Sequence, residues 1–551
     1  MAYTEMGHAR RRLLHRRAFE VLEEGGAPAA RLARHALAGS FAESAFRYSV
    51  AAGDAAMEVF AARDAIEHYE RARSLLAEEG RTGGGRPVEP SIHELEHLYT
   101  QLGRAYEIAD EWGKAQAAYE TMLALGQQLG EARLEVLSLN HLAILSFTQQ
   151  EPDLPKTKTH LEEARRLAEE AGLEGALVET ECNLADLMTL LAGEYEHTDP
   201  LARKALDSAR ALEEERPDLV ARALLTLARV ELNRGRLGES AVHAEEGAEL
   251  SRDLAERPPP HRLLPSMGTA AVGLVASWTA GIKTMESRSL SILAFDRVMQ
   301  GRLREGIKIA REALAVSREL PKRAEALGVW VLGMGNCESG DYKEALELCR
   351  RATELTRKAQ NAFLLWFNLD NLGRAYEALL DLQEARRVHE EALELSGALG
   401  PQYEVSSSIR LCAVAALSED WEQAYAHALR AHEGRASLGP LDSLYLHYEV
   451  EALLRGGDER LAQEEVRRFA ERAEPNERER VAYLRSLAVL SEFEGAMGRA
   501  IEHLHEAWTL AQKIGLPKEL WQIQSRIGHL YEQRGQTEEA REEFSLAAQT
   551  L

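Results

Sequence analysis

Cysteine is scarce in this chain. Its 551 residues include four, Cys182, Cys337, Cys349 and Cys412, and no two of them form a CxxC pair. That spacing provides neither a disulfide framework nor a cysteine zinc site, and it reads as four small buried side chains in a reducing, cytoplasmic compartment. Proline (16) and phenylalanine (11) are also few, leaving a composition weighted to Ala, Leu, Glu and Arg, the strong helix formers. Positive charge is in deficit: 66 Lys and Arg against 90 Asp and Glu give a formal charge of −24. A polyanion is repelled by most of such a surface, so direct nucleic-acid binding is not expected. The local exception, Arg10, Arg11, Arg12, Arg16 and Arg17, reads as a solvated or interdomain face.

Long apolar runs are nearly absent as well. Leu263 to Ile282, "LLPSMGTAAVGLVASWTAGI", has the length of a bilayer span. Its Pro, Ser, Thr and Gly make it a buried helix instead, and no membrane association is expected. At the N-terminus, "LLHRRAFEVLEEGG" places charges where an export signal needs apolar residues. The phosphate-cradling GxxxxGK[ST] loop is missing: "GRLREGIK" has the glycines but no following Lys-Ser or Lys-Thr, and "GRTGGGRP" is linker by composition. There is no GxSxG. The chain therefore reads as a non-enzyme without a cofactor.

What the sequence does contain is repetition. The hexapeptide "LGRAYE" occurs at residues 102–107 and again at 372–377, and the residues after each copy match at fixed offsets. Gly103 leads to Tyr106, Ala115, Tyr119 and Met122; Gly373 leads to Tyr376, Ala385, His389 and Ala392. The same steps of three, nine, four and three run through Gly528, Tyr531, Ala540, Phe544 and Ala547, through Gly333, Asn336, Ala345, Cys349 and Ala352, and through Ala33, Ala36, Ala45, Ser49 and Ala52. Such a ruler describes two antiparallel helices. Small residues one turn apart let the first helix approach closely, and the later stripe packs the second against it. Turn signals such as "SGDYKEA" and "EQRGQTEEA" fall between the stripes. The period is near 40 residues.

This pattern resembles the tetratricopeptide repeat, with its apolar-Gly-x2-Tyr first helix and Ala-x3-Phe-x2-Ala second helix. The resemblance covers nearly the whole chain. It departs from the usual form in a longer period and in a mostly missing terminal proline. It implies an all-α, right-handed superhelical solenoid of roughly twelve hairpins with a concave inner face. It also implies that groove-lining residues stand three before, one after and four after the small residue of each first helix. Applied here, that rule selects Arg104 and Glu107; Asn140; Asp186; Trp330; Asp370, Arg374 and Glu377; and His529 as candidates for binding a ligand or partner. Trp330 suits an anchor for a peptide or a sugar, and equally suits core packing.

The first 75 residues, with "YTEMGHARRRLLHRRAFEVLEE", "APAARLARHAL" and "AIEHYERARSLL", are similar to the junction of large bacterial regulators of the STAND class, where a nucleotide-binding module hands over to a repeat region. That resemblance implies a sensor arm binding a protein, a peptide or a small-molecule inducer, with a nucleotide-binding domain preceding residue 1. A freestanding scaffold for protein partners is the alternative. The expected organisation is a basic helix over 1–24, first hairpins over 25–80, a Gly/Pro linker over 81–90, repeats over 91–256, an irregular insertion with an extra helix over 257–290, and repeats over 291–551. One literal catalytic motif remains. His93-Glu94-Leu95-Glu96-His97 is HExxH, the pattern of zinc hydrolases. Glu96 beside the second His, and a position at an exposed helix start capped by Ser91, make it an ordinary helix beginning, and no metal is expected.

Overall fold

The structure is a computed structural model that describes residues 7–77, 88–148, 152–192, 195–257, 270–320, 325–358, 361–435, 442–473 and 476–550, with the side chains of 77, 147–148, 191–196, 270–278 and 471–472 also outside the description. Residues 81–87 of the linker expected over 81–90 and the segment "PPPHRLLPSMGT" lie outside the described residues, as does the side chain of Trp278. Among the described residues there are 26 α-helices and no strand. The first eight are α1 (His8–Glu24), α2 (Ala29–Gly39), α3 (Ala42–Glu58), α4 (Ala62–Ala77), α5 (Ile92–Ile108), α6 (Trp112–Leu129), α7 (Ala132–Thr148) and α8 (Leu154–Glu170). Then come α9 (Glu174–Leu187), α10 (Tyr195–Ala211), α11 (Pro217–Asn233), α12 (Leu237–Glu256), α13 (Ala270–Met299) and α14 (Leu303–Ser317). They continue with α15 (Glu325–Ser339), α16 (Tyr342–Lys358), α17 (Ala362–Ala378), α18 (Leu382–Leu399), α19 (Pro401–Leu417) and α20 (Trp421–Gly434). The last are α21 (Leu446–Arg455), α22 (Glu459–Ala473), α23 (Glu477–Phe493), α24 (Met497–Ile514), α25 (Pro517–Gln533) and α26 (Thr537–Thr550). A π-helical turn, Met188–Ala192, comes after α9, and a short 3-10 helix, Asp442–Tyr445, precedes α21.

Each odd-numbered helix packs against the even-numbered helix after it, so the chain is a row of antiparallel hairpins. The ruler has a direct steric cause. A Cβ on Gly103 would stand 2.3 Å from the Tyr119 ring, and one on Gly373 would stand 2.2 Å from the His389 ring. Gly333 meets Cys349 and Gly528 meets Phe544 in the same way, at 2.9 and 2.8 Å. The small residue of the first helix is therefore the seat for the large residue of the second. The ruler also falls on Gly53, Ala56, Ala65, Tyr69 and Ala72, and here too Gly53 would collide with the Tyr69 ring at 2.4 Å. This register joins α3 to α4, whereas the register starting at Ala33 joins α2 to α3. Both interfaces are buried, and α3 serves in each.

Local chemistry sets the helix ends. Asp153, Asn361, Asp381 and Asp420 accept backbone N–H bonds at the starts of α8, α17, α18 and α20. The turn inside a hairpin needs one left-handed residue. Gly340 and Gly535 supply it at φ +90° and +74°, while Asp110 and Leu380 hold the same place at +59° and +57° in the two hairpins that carry the hexapeptide. The extra helix expected near 257–290 takes the form of an extension: α13 is a single 30-residue helix whose C-terminal part is the first member of the α13–α14 hairpin. It also packs on α3.

The largest apolar core runs from α12 to α25, joining Phe295, Val298 and Trp330 to Leu484 and Ile527. Hydrogen bonds and ion pairs cross between hairpins far apart in the chain. Arg478 of α23 bonds Glu338 of α15, and Lys518 of α25 reaches Glu377 of α17. The hydroxyl of Tyr403 on α19 donates to the carbonyl of Leu190 in the π-turn, as does Gln402 Nε2 at 2.9 Å. These contacts tie the later repeats to the first helices of the middle ones.

Candidate functional site

The first helices of successive hairpins, α9 with its π-turn, α11, α13, α15, α17 and α19, converge on one cavity of about 190 Å³. Six aromatic rings line it: Phe295, Trp330, Phe363, Trp366, Phe367 and Tyr403. The rings brace one another. Trp330 stacks on Phe295 at 5.6 Å between centroids, and Phe367 stands edge-on to Trp330 at 5.5 Å and to Trp366 at 5.2 Å. Indole N–H groups are anchored: Trp330 Nε1 donates to the Phe367 carbonyl at 3.1 Å, and Trp366 Nε1 donates to Ser407 Oγ at 3.0 Å. With both indoles tied and the rings interlocked, the apolar wall is preorganised.

Polar groups enter this wall at two places. On one side, Arg229 bonds Asp186 at 2.6 Å, and Arg222 bonds the same carboxylate at 2.7 Å. Burial pushes the Asp186 carboxyl up, but the two guanidiniums outweigh it and hold the group below its ordinary range. On the other side lies Arg410, fully buried, with Nε bonded to Asp370 at 2.8 Å, Nη2 to Asp442 at 3.4 Å, and its guanidinium 4.2 Å from the Tyr445 ring centroid. Burial pushes the Asp442 carboxyl up, against the pull of Arg410. Arg410 Nη1 and Thr189 Oγ1 have no protein hydrogen-bond partner, and both residues line the cavity. The π-turn that carries Thr189 and Leu190 widens the helix where its carbonyl must meet Tyr403.

The sequence candidates fall into three groups. Trp330 stands in the cavity wall. Asp370, Arg374 and Glu377 are buried and ion-paired, to Arg410, to Glu338 at 2.6 Å, and to His389 and Lys518. Asn140 bonds Thr180 and Asn183 of the next repeat, and Asp186 holds Arg222 and Arg229. Near the ends of the array, Arg104 and His529 are exposed, while Glu107 accepts from Tyr119 of its own hairpin at 2.6 Å. The spacing rule does not select the aromatic residues 363, 366, 367 and 403, because they lie six to ten residues before the small residue of their helices, one or two turns earlier than the rule looks. The cluster "FLLWF" in a chain with 11 Phe and 7 Trp is the signal that marks them.

The HExxH residues have other partners. Glu94 closes a capping box with Ser91, Glu96 bonds Arg133 at 2.6 Å, and His97 Nε2 lies 2.9 Å from Asp54 while His93 points to solvent. Among the described residues no group of three His, Cys, Asp or Glu side chains is arranged to hold a metal ion. All four cysteines are buried thiols, and burial raises each above its ordinary range, Cys182 to about 12 and Cys337 to about 11. No described helix is long and apolar enough to cross a membrane.

Residues 324–398 match the tetratricopeptide repeat family profile. No curated protein matches the chain. Among solved structures, a Rap protein complexed with competence and sporulation factor is 13% identical over 74% of this chain and 99% of its own, with a TM-score of 0.44. The APC/C hetero-tetramer Cut9-Hcn1 is 13% identical over 92% and 87%, with a TM-score of 0.45. The apo quorum sensor NprR from B. thuringiensis is 12% identical over 70% and 99%, with a TM-score of 0.41. The matched segment spans α15 to α18, where the Gly333 and Gly373 rulers operate, and the same steric ruler recurs from α3 to α26. The chain is an all-helical repeat of tetratricopeptide-like hairpins, and residues 324–398 carry the family's own pattern.

Proposed function

We propose that this chain is the sensing region of a STAND-type signal-transducing regulator in the cytoplasm, and that it binds a small effector in the aromatic cavity rather than catalysing a reaction. One observation carries the reading: six first helices converge on a ring-lined space with preorganised walls. Volume limits the occupant. A cavity of about 150 Å³ accepts benzene, so about 190 Å³ suits a single apolar ring or branched chain with a few further atoms. The unpartnered Arg410 Nη1 and Thr189 Oγ1 add the requirement of a hydrogen-bond acceptor on that ligand. The expected effector is a compact amphipathic molecule, or the apolar terminal side chain of a short peptide.

Because the cavity is built by helices from α9 to α19 and closed by the Tyr403–Leu190 bond, an occupant contacts repeats five hairpins apart and favours the closed form of the superhelix. That supplies a mechanical output for a sensor. The test is a thermal-shift and tryptophan-fluorescence screen of single-ring carboxylic acids, hydroxylated aromatics and short peptides ending in Leu or Phe. A binder is expected to lose about 10- to 100-fold in affinity on Trp330→Ala or Phe363→Ala, the range of an anchoring contact. A screen without a binder, or binders indifferent to both substitutions, overturns the reading.

A further inference from the structure

A second, smaller cavity of about 20 Å³ lies where α15 and α17 meet α21, α23 and α25. Six of its thirteen lining residues are charged. Arg374, Arg478, Arg485 and Lys518 line it with Glu338 and Glu519, and Lys518 also reaches Glu377 at 3.4 Å. The ion pairs form a chain: Glu338 takes Arg374 at 2.6 Å and Arg478 at 3.0 Å, and Glu519 takes Arg478 at 2.9 Å and Arg485. Four cations face three carboxylates. Every carboxylate oxygen in that chain has a partner, yet donors are left over. Arg374 Nε, Arg478 Nη1 and Gln522 Nε2 have no acceptor, and neither ring nitrogen of His447 has a partner. All four residues line the cavity and are more than nine-tenths buried. The orientation of Gln522 is set by its oxygen, which accepts from Arg485 Nη2 at 3.0 Å and from the Tyr448 hydroxyl at 3.3 Å, so its amide nitrogen is the end without a partner.

At the wall itself four cations outnumber two carboxylates and several buried donors are unmet, which is costly unless an anion completes the shell. The space admits about one water-sized sphere, which is too small for phosphate, sulfate or a carboxylate ligand. We propose that this cavity is a binding site for a single monatomic halide, chloride in solution, held by Arg374, Arg478, Gln522 and His447. His447 acts as a neutral donor there, since burial and then Arg485 keep its imidazole well below its ordinary value. The bound ion joins α17 to α21, α23 and α25, and so stabilises the closure of the last repeats over the middle of the array. This site is separate from the aromatic cavity, and its test needs no knowledge of the effector.

The experiment is thermal unfolding of the full chain in sodium chloride or sodium gluconate at equal ionic strength and pH, repeated on Gln522→Glu. A carboxylate at 522 still accepts from Arg485 and Tyr448 and provides the missing negative charge within the protein. Wild type is expected to melt about 2 °C or more higher in chloride, with the rise saturating in concentration, as binding to the native state requires. The variant is expected to melt equally in both salts. A crystal soaked in bromide is expected to show one anomalous peak within contact distance of the Arg374 and Arg478 nitrogens. Equal melting of wild type in both salts, a chloride effect of the same size in the variant, or a bromide-soaked crystal with no peak at this cavity each overturns the proposal and leaves ordered water as the occupant.

Discussion

The two copies of "LGRAYE" are the same six residues in two different solvents. At 102–107, Arg104 is exposed and Glu107 is half-buried, with the Tyr119 hydroxyl as its partner. At 372–377, Arg374 is 3% exposed and Glu377 is wholly buried, because Tyr445, Arg478 and Lys518 arrive from later repeats to cover them. The packing half of the hexapeptide is unaffected: Gly103 sits on Tyr119 as Gly373 sits on His389, and the carboxylate four residues on is bonded to that same ring in each copy. A repeat therefore carries two kinds of information. Its small and large residues specify the neighbour within the hairpin, and its charges acquire their value from whatever the superhelix brings opposite them.

The sharpest break in that comparison is Glu377→Ala against Glu107→Ala. Removing Glu377 strands Lys518 and His389 in the interior and is expected to cost about 3–5 kcal/mol. Removing Glu107 forfeits the partly solvated hydrogen bond from Tyr119, about 1 kcal/mol. Hydrogen exchange on α17 and α5 amides measures both locally, which suits a long array that need not unfold in one step. Similar losses at the two sites would show that the second copy is not covered.

Acid separates the copies next. Burial pushes the Glu377 carboxyl up, but Lys518 and His389 overcome it and hold it at about 2, against an ordinary value of 4.5. A depressed folded-state pKa contributes stability above the unfolded value and loses it as pH falls toward the folded one. Stability of the α17 region is therefore expected to drop between about pH 4.5 and 2, by on the order of 3 kcal/mol for this group. Glu377→Gln is expected to flatten that slope, and an unchanged acid limb in the variant would refute the assignment.

Glycine substitution should erase the difference between copies. Gly103→Ala and Gly373→Ala each drive a Cβ into a ring, and both are expected to destabilise their hairpins by about 1–3 kcal/mol. Unequal losses would mean the covering repeats also set the packing. The smallest effect belongs to His93→Ala, expected within about 0.5 kcal/mol of wild type, since the imidazole is solvated and Glu94 has its role as a cap without it. A larger loss, or stoichiometric zinc that disappears in the variant, would restore the metal reading of HELEH.

Much of this architecture is legible in the sequence because its cause is local. A glycine opposite a ring sixteen residues later is a contact between two adjacent helices, so the spacing carries the geometry directly, at Gly53 and Tyr69 as at Gly103 and Tyr119. The aromatic cavity is half legible. The spacing rule selects Trp330, but Phe363, Trp366, Phe367 and Tyr403 sit earlier on their helices, where no periodicity distinguishes a groove ring from a core ring. The charged cavity is not legible at all. Arg374 reads as a groove residue awaiting a partner, and its partner lies within the chain.

By itself, then, the sequence determined the hairpins, their close approach and their order, because each depends on residues within about one repeat of one another and on the size of single side chains. The tertiary structure decided which stretch of the concave face became a ring-lined cavity, which became an ion cluster, and which stayed open to water. That outcome depends on curvature, a small rotation per hairpin summed over many. Only the sum brings Leu190 to Tyr403, 213 residues away, and Glu338 to Arg478, 140 residues away.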